Sequence, residues 1–245
     1  MDMDNEILRQ LHARRSVRAF LDRPVPPEVK RAVLEAACAA PTAGNQQLYT
    51  ILDITDQKLK DTLAETCDHQ PFIAQAPLVL IFCADCQKWY DAFDAGGCQP
   101  RKPGVGDLLL ACSDANIAAQ NAVTAAWSLG IGSCYIGDVM EQCETHRQLL
   151  NLPDYVFPAA MVVFGYPTAQ QQAREKPSRR ALPYIVHENG YRRMNAGELE
   201  RMLADNAGQR PYTDWLKAFC DRKYNSDFSR EMTRSVEEYL KAFEA

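Results

Sequence analysis

The stretch DLLLACSDANIAAQNAVTAAWSL, residues 107–129, limits what this chain can fold into more than any other. It reads as one long helix, Asp107–Leu129, ended by Gly130, apolar on most of its circumference and dense in alanine. A helix of that kind belongs at the centre of a domain or in a tight helix–helix interface, so the remaining elements must be arranged around it.

Those elements follow from periodicity. Glu6 to Ala13 reads as a short helix with Ile7, Leu8 and Leu11 on one stripe, and a second opens at Pro26 and Pro27 and runs to Ala40, where Pro41 stops it. Tyr49–Ile54 reads as a strand and Gln57–Thr66 as an exposed helix. Leu78–Ala84 and Phe157–Gly165 are continuously apolar, as strands covered on both faces are. Ile131–Gly137 turns or enters a strand, and Met140–Leu150 reads as a surface helix. Gln87–Gly106, rich in glycine and proline, reads as a long loop or lid. After Pro167 comes a polar, basic connection, QQQAREKPSRR. In the last fifty residues, two or three amphipathic helices keep Phe228, Met232, Val236, Tyr239 and Phe243 at helical spacing. The pattern is α+β with one main core and a helical C-terminal appendage.

Composition narrows the function. With 245 residues, a formal net charge of −5 and a sequence pI of about 5.5, the chain as a whole is not an electrostatic partner for nucleic acid or anionic lipid. Any basic patch is local, which favours a small anionic ligand. No apolar run has the length of a membrane span, the N-terminal residues lack the features of a signal peptide, and the nine scattered cysteines suit reduced thiols. These readings point to a cytoplasmic protein. Cys83 and Cys86 have half-site spacing without a second pair, so they read as thiols at the end of a core strand rather than as metal ligands. There is no GxGxxG, no GxxxxGK[ST] and no GxSxG, and with four histidines far apart no side-chain couple is visible. The chemistry is therefore expected from a bound cofactor.

Four stretches could hold one. RRSVR (residues 14–18) offers guanidinium forks and a hydroxyl suited to a phosphate, or is a solvated face. PTAGNQQ (41–47) is a small-residue turn with amides for the edge of a flat heterocycle, or simply a turn. GIGSCYIGD (130–138) permits close backbone approach, or is a helix stop and bulge. REKPSRR (174–180) is a second basic cluster, or a solvated linker.

In this order and spacing, the four stretches resemble the FMN-dependent nitroreductase family, in particular its oxygen-insensitive NADPH nitroreductase and flavin reductase branch. The resemblance runs from about Ile7 to Tyr191 and is supported by DHQPFIAQAPLVLIFCAD (68–85) and VHENGY (186–191). It implies a nitroreductase-like fold: a central, mostly antiparallel sheet flanked by helices, in an intertwined homodimer with two shared FMN sites. Residues 1–190 would form the FMN-binding domain and 191–245 a helical extension packing on that domain or on the dimer partner.

The family's cofactor residues map onto Arg14, Arg15, Ser16 and Arg18 for the phosphate and pyrimidine side. Thr42, Ala43, Asn45 and Gln47 map onto the turn a second subunit lends to the isoalloxazine. Gln70 would reach the flavin, Tyr135, Ile136, Gly137 and Asp138 would line the ring near N5, and Lys176 and Arg179 would complete the phosphate grip. The branch usually has glycine where this chain has Asp138, and KPSR is one residue longer than usual, which leaves Arg179 and Arg180 as alternatives. The implied activity is ping-pong oxidation of NADPH or NADH through FMN, with nitroaromatics, quinones or free flavins as acceptors and no catalytic side chain. The alternatives are a flavoprotein of the same fold with dehalogenase- or dehydrogenase-like chemistry, and a non-enzymatic flavin-binding protein whose helical tail docks a partner.

Overall fold

The computed structural model describes residues 5–244; the acidic start of the chain, residues 1–4, lies outside them. Helices α1 (Glu6–Ala13) and α2 (Pro27–Cys38) lead into β1 (Tyr49–Asp53), α3 (Gln57–Thr66), α4 (Phe72–Gln75), β2 (Leu78–Asp85), α5 (Gln87–Ala95) and α6 (Val105–Ser128). Then come β3 (Gly132–Ile136), α7 (Cys143–Leu150), β4 (Val156–Gly165), α8 (Ala169–Ala173), α9 (Ala196–Leu203), α10 (Tyr212–Lys223) and α11 (Asp227–Leu240). The four strands form one sheet in the order β1-β2-β4-β3, with every neighbouring pair antiparallel.

The two continuously apolar runs are buried along their whole length, as β2 and β4 at the centre of the sheet. On one face Leu80, Phe82 and Phe164 join the alanines of α6 and Val33 and Ala37 of α2. On the other, Val79, Ile81 and Val163 join Leu63 of α3 and Ile73 of α4. The register of β2 on β4 slips between Phe82 and Cys83, opposite Ala160 and Pro158. The bulge falls where proline removes a ladder donor.

α6 buries Ala111, Ala115, Ala118, Ala119, Ala122 and Ala126, whose small side chains let the sheet and α2 approach closely. Its other side leaves Leu109, Leu110 and Ile117 exposed. Gly130, at φ 76°, closes the helix: its N–H donates to the Trp127 carbonyl at 3.0 Å and the Ile131 N–H to that of Ala126 at 2.9 Å. This is the paired bonding of a glycine-terminated helix, with Ile131 fully buried behind it.

Two boundaries depart from the sequence reading. Residues 87–106 are not a continuous loop, because Gln87–Ala95 is α5. QKWYDAFDA contains neither glycine nor proline, and Trp89 and Phe93, one turn apart, pack at 5.4 Å between ring centroids. The irregular part begins at Gly96 and Gly97. Likewise, the helix expected from Met140 starts only at Cys143, because Asp138–Met140 is a 3-10 turn and Gln142 is left-handed, at φ 49°.

The chain divides into two compact units, one of Met1–Arg174 with Met232–Ala245 and one of Glu175–Glu231. In the first, the periodic tail is inward as expected: Tyr239 lies edge-on to Phe157 at 5.0 Å, and Phe243 to Tyr155 at 5.6 Å. Ser235 Oγ donates to the Met140 carbonyl (2.7 Å) and accepts from Cys143 N (2.9 Å), while Arg234 grips Glu144 with both guanidinium nitrogens. In the second unit, Asn195 and Glu198 cap the start of α9 reciprocally and Trp215 stacks on Phe219 at 5.2 Å. Among the described residues no helix is long and apolar enough to cross a membrane.

Candidate functional site

The basic segment 14–18 starts at Arg14, the C-cap of α1, and runs on as an extended strip along β3. Ser16 bridges Ser133 in parallel, and Val17 N donates to the Ser133 carbonyl at 2.9 Å. In extended chain, alternate side chains face opposite ways. Val17 is buried against Gly132, where an added Cβ would lie 2.5 Å from Val17 Cγ2. Phe20 lies over Gly165 in the same way, at 2.7 Å. Arg18, Ser16 and Arg14 instead act on the buried Cys134 thiol. Burial pushes that thiol up, and Arg18, Ser16 and Arg14 pull it back. Arg15 diverges from them: its Nη1 donates to the carbonyls of Gln172, at 3.0 Å, and Arg174.

The end of β3 continues the same surface. Tyr135 is 37% exposed and its phenol lies 3.5 Å from Gln120 Oε1; burial pushes it up to about 12 against the pull of Arg14. Ile136 is buried in the opposite core, so its main chain rather than its side chain can serve a ligand. Gly137 is exposed, and Asp138 opens the 3-10 turn. Gln70 joins this turn through Cys67. Its Nε2 donates to the Cys67 carbonyl at 2.8 Å, and the Cys67 thiol, raised by burial, is raised further by the charges of Asp138 and Glu141.

A buried histidine fixes this corner. His146 Nδ1 lies 2.9 Å from the Val139 carbonyl and Nε2 2.8 Å from Thr66 Oγ1, while Gln142 Nε2 donates to the Thr66 carbonyl. Burial holds the imidazole below its ordinary value, outweighing the backbone bonds of Val139 and Glu141. The unfolded chain therefore takes up a proton first, and stability contributed here is complete above about pH 6.5 and falls as the pH drops below it. Urea midpoints measured from pH 8 to pH 5 should fall more steeply for the native protein than for His146→Gln. Equal slopes would remove His146 as the cause.

The turn 41–47 is built on a residue that sequence reasoning missed. Asp114, 3% exposed on α6, accepts from Thr42 Oγ1 (2.5 Å), Ala43 N (3.0 Å) and Leu48 N (3.1 Å). Thr42 Oγ1 in turn accepts from Gln47 N at 2.7 Å. Gly44, Asn45 and Gln47 are all left-handed, at φ 56°, 57° and 50°, so the turn's shape opposes local preference and depends on that carboxylate. The only signal for Asp114 in the sequence was an acid in the middle of an alanine-rich helix. The turn is thus joined to α6, not to β3.

Lys176 and Arg179 lie at the start of the second unit, where Arg179 Nη1 donates to the Pro177 carbonyl at 3.0 Å. Cys83 and Cys86 are buried at the end of β2, and burial pushes both thiols up to about 12, which makes them poor nucleophiles.

The model of the nitroreductase family matches residues 11–166, which spans the basic strip, the turn, α6 and the sheet. The chain belongs to the nitroreductase family. This nitroreductase is 30% identical over 237 residues to an FMN reductase [NAD(P)H] of Bacillus subtilis, covering 96% of this chain and 91% of that protein. It is 33% identical over 193 residues to an oxygen-insensitive NADPH nitroreductase of Salmonella typhimurium, covering 78% and 75%. Among solved structures, NfrA2 of B. megaterium superposes with a TM-score of 0.79 at 29% identity, over 96% of this chain and 98% of that one. The α+β architecture expected from the sequence, an antiparallel sheet flanked by helices, is that of the family.

Proposed function

We propose that this nitroreductase is an FMN-dependent NAD(P)H oxidoreductase, working as a homodimer in which the turn 41–47 of one copy completes the flavin site of the other. The observation that carries the reading is the pairing of Ser16 with Ser133, which lays Arg14, Ser16 and Arg18, alternate residues of one extended strip, along β3 just before the exposed Tyr135 and Gly137. Two guanidinium groups and a hydroxyl match the charge and donor geometry of a phosphate monoester. Ser133, on the strand residue that Ser16 pairs with, has a buried Oγ without a hydrogen-bond partner among the described residues, a donor left over for a ligand. The names of the B. subtilis and S. typhimurium relatives support the same cofactor and nucleotide.

When bound, FMN supplies hydride acceptance from NADPH or NADH and its delivery to an oxidant such as a quinone or nitroaromatic. The chain's own part is to hold the phosphate through Arg14, Ser16 and Arg18, and to present Tyr135, the Ile136 backbone and Gly137 along the ring. Gln70 supplies an amide from the side. Thr42, Ala43, Asn45 and Gln47, shaped by Asp114, offer amides and backbone N–H groups to the ring edge. Cationic groups and N–H donors stabilise negative charge developing on the reduced ring. Asp138, whose charge acts on Cys67, adds a carboxylate behind that surface.

The test is direct. Purified protein reconstituted with FMN should be yellow, bleach anaerobically with NADPH or NADH, and recover its colour on addition of a quinone or nitroaromatic. Protein that takes up no FMN would overturn the reading, and bound FMN that neither nucleotide bleaches would leave the fold with a different flavin chemistry. Arg18→Ala should weaken FMN binding by about 10- to 100-fold, the worth of one charge-assisted bond to a phosphate. Unchanged FMN affinity by equilibrium dialysis would remove Arg18 from the grip.

A further inference from the structure

Asp138 carries a charge that its own turn does not use. It opens the 3-10 turn Asp138–Met140 directly after Gly137 and is half-buried. The turn is fixed through its main chain. Met140 N donates to the Gly137 carbonyl and Glu141 N to that of Asp138, both at 3.0 Å. Val139 is fully buried, and its carbonyl lies 2.9 Å from His146 Nδ1. The Asp138 carboxylate itself has neither an ion pair nor a hydrogen bond among the described residues. A charge held in place without a protein partner calls for an explanation outside the turn.

Its sign opposes that of the strip at the other end of the same surface. There the Cys134 thiol, pushed up by burial, is pulled back by Arg18, Ser16 and Arg14. Past Gly137 the Cys67 thiol is pushed up by burial and then further by Asp138 and Glu141. The surface thus turns from positive to negative between Cys134 and Asp138, roughly 13 Å at ~3.3 Å per residue. In the flavin reading the phosphate brings its own negative charge to the arginines and cancels them. Asp138 is left as a charge without a counter-ion on the side of the ring.

We infer that Asp138 sets the redox potential of the bound flavin, holding it lower than the rest of the site would. The inference rests on the flavin reading. A hydride from NAD(P)H brings two electrons and one proton, so the ring gains one negative charge and NAD(P)+ leaves. A carboxylate near the ring raises the energy of the charged, reduced form by Coulomb repulsion and hardly affects the neutral, oxidised one. The N–H donors of the site favour the added charge, and Asp138 works against them. The reduced protein is thereby a stronger reductant, suited to an acceptor of low potential.

The midpoint potential of FMN-loaded protein is measured by equilibrium titration against a redox dye, for the native chain, Asp138→Asn and Asp138→Glu. Asparagine keeps the shape and removes the charge, and no side-chain bond is lost, so the fold is not threatened. Asp138→Asn should bind reduced FMN about tenfold more tightly relative to oxidised FMN, which raises the midpoint of a two-electron couple by about 30 mV. The gap between native and Asp138→Asn should narrow as salt is added, and Asp138→Glu, which keeps the charge, should stay near the native potential. A role confined to folding would move the urea midpoint and leave the ratio of the two affinities alone. An unchanged or lower potential in Asp138→Asn at low salt would overturn the inference. Failure of the flavin reading overturns both and looks different: no FMN is taken up, and none of the three proteins has a flavin couple to titrate.

Discussion

Asp114→Ala is expected to lower stability by about 3 kcal/mol and to abolish stable FMN retention. The carboxylate satisfies two backbone N–H groups and a hydroxyl, and without it those donors remain in a part-buried turn with no acceptor. Bonds to a charged acceptor are worth about 1.5–3 kcal/mol each, less what is regained by no longer burying the charge. The three left-handed residues then have nothing to hold them, and the turn relaxes. Asp114→Asn keeps one carbonyl acceptor and should fall between the native protein and the alanine variant in both stability and FMN affinity. Denaturant unfolding of the FMN-free protein separates the two effects, because a purely structural role would leave FMN affinity intact in whatever fraction remains folded. Native stability and FMN content in Asp114→Ala would sink the assignment.

The second large effect is steric. Gly132→Ala places a Cβ 2.5 Å from Val17 Cγ2 and 2.7 Å from Val17 Cβ. Valine's branched side chain has no spare rotamer into which to retreat. The strip must therefore lift from β3, breaking the Ser16–Ser133 pairing and scattering Arg14, Ser16 and Arg18. Overpacking of this kind costs about 1–3 kcal/mol, and FMN affinity should drop at least tenfold. The double variant Gly132→Ala with Val17→Gly removes every clashing atom of that side chain and should recover part of the lost affinity, a coupling that independent sites would not show. A single variant that binds FMN normally would show that the strip does not need this contact.

These two residues also mark where the sequence was readable. The buried strands and α6 announce themselves in continuous apolar runs, whereas the separation of Arg15 from Arg14, Ser16 and Arg18 emerges only once the strip is seen to be extended. The basic strip, the small-residue turn and the strand end could be picked out as cofactor stretches from their side-chain chemistry. What holds them in place could not. Asp114 reaches Thr42 across 72 positions, and Ser235 reaches Cys143 across 92, and neither distance leaves a local pattern. His146 looked like any surface histidine until α3 packed over it. The misread loop at Gln87–Ala95 has a different cause. Glycine and proline at its far end, residues 96–104, coloured the reading of a helix that contains neither.

The pairing of Ser16 with Ser133 has a consequence beyond ligand binding. β3 is the last strand of the sheet, and its outer rim carries main-chain groups able to recruit any stray extended peptide. The arginine strip occupies that rim at Ser133, and its positive charges repel the like-charged rim of a second molecule. The segment that would grip the cofactor therefore also guards the sheet against edge-to-edge aggregation.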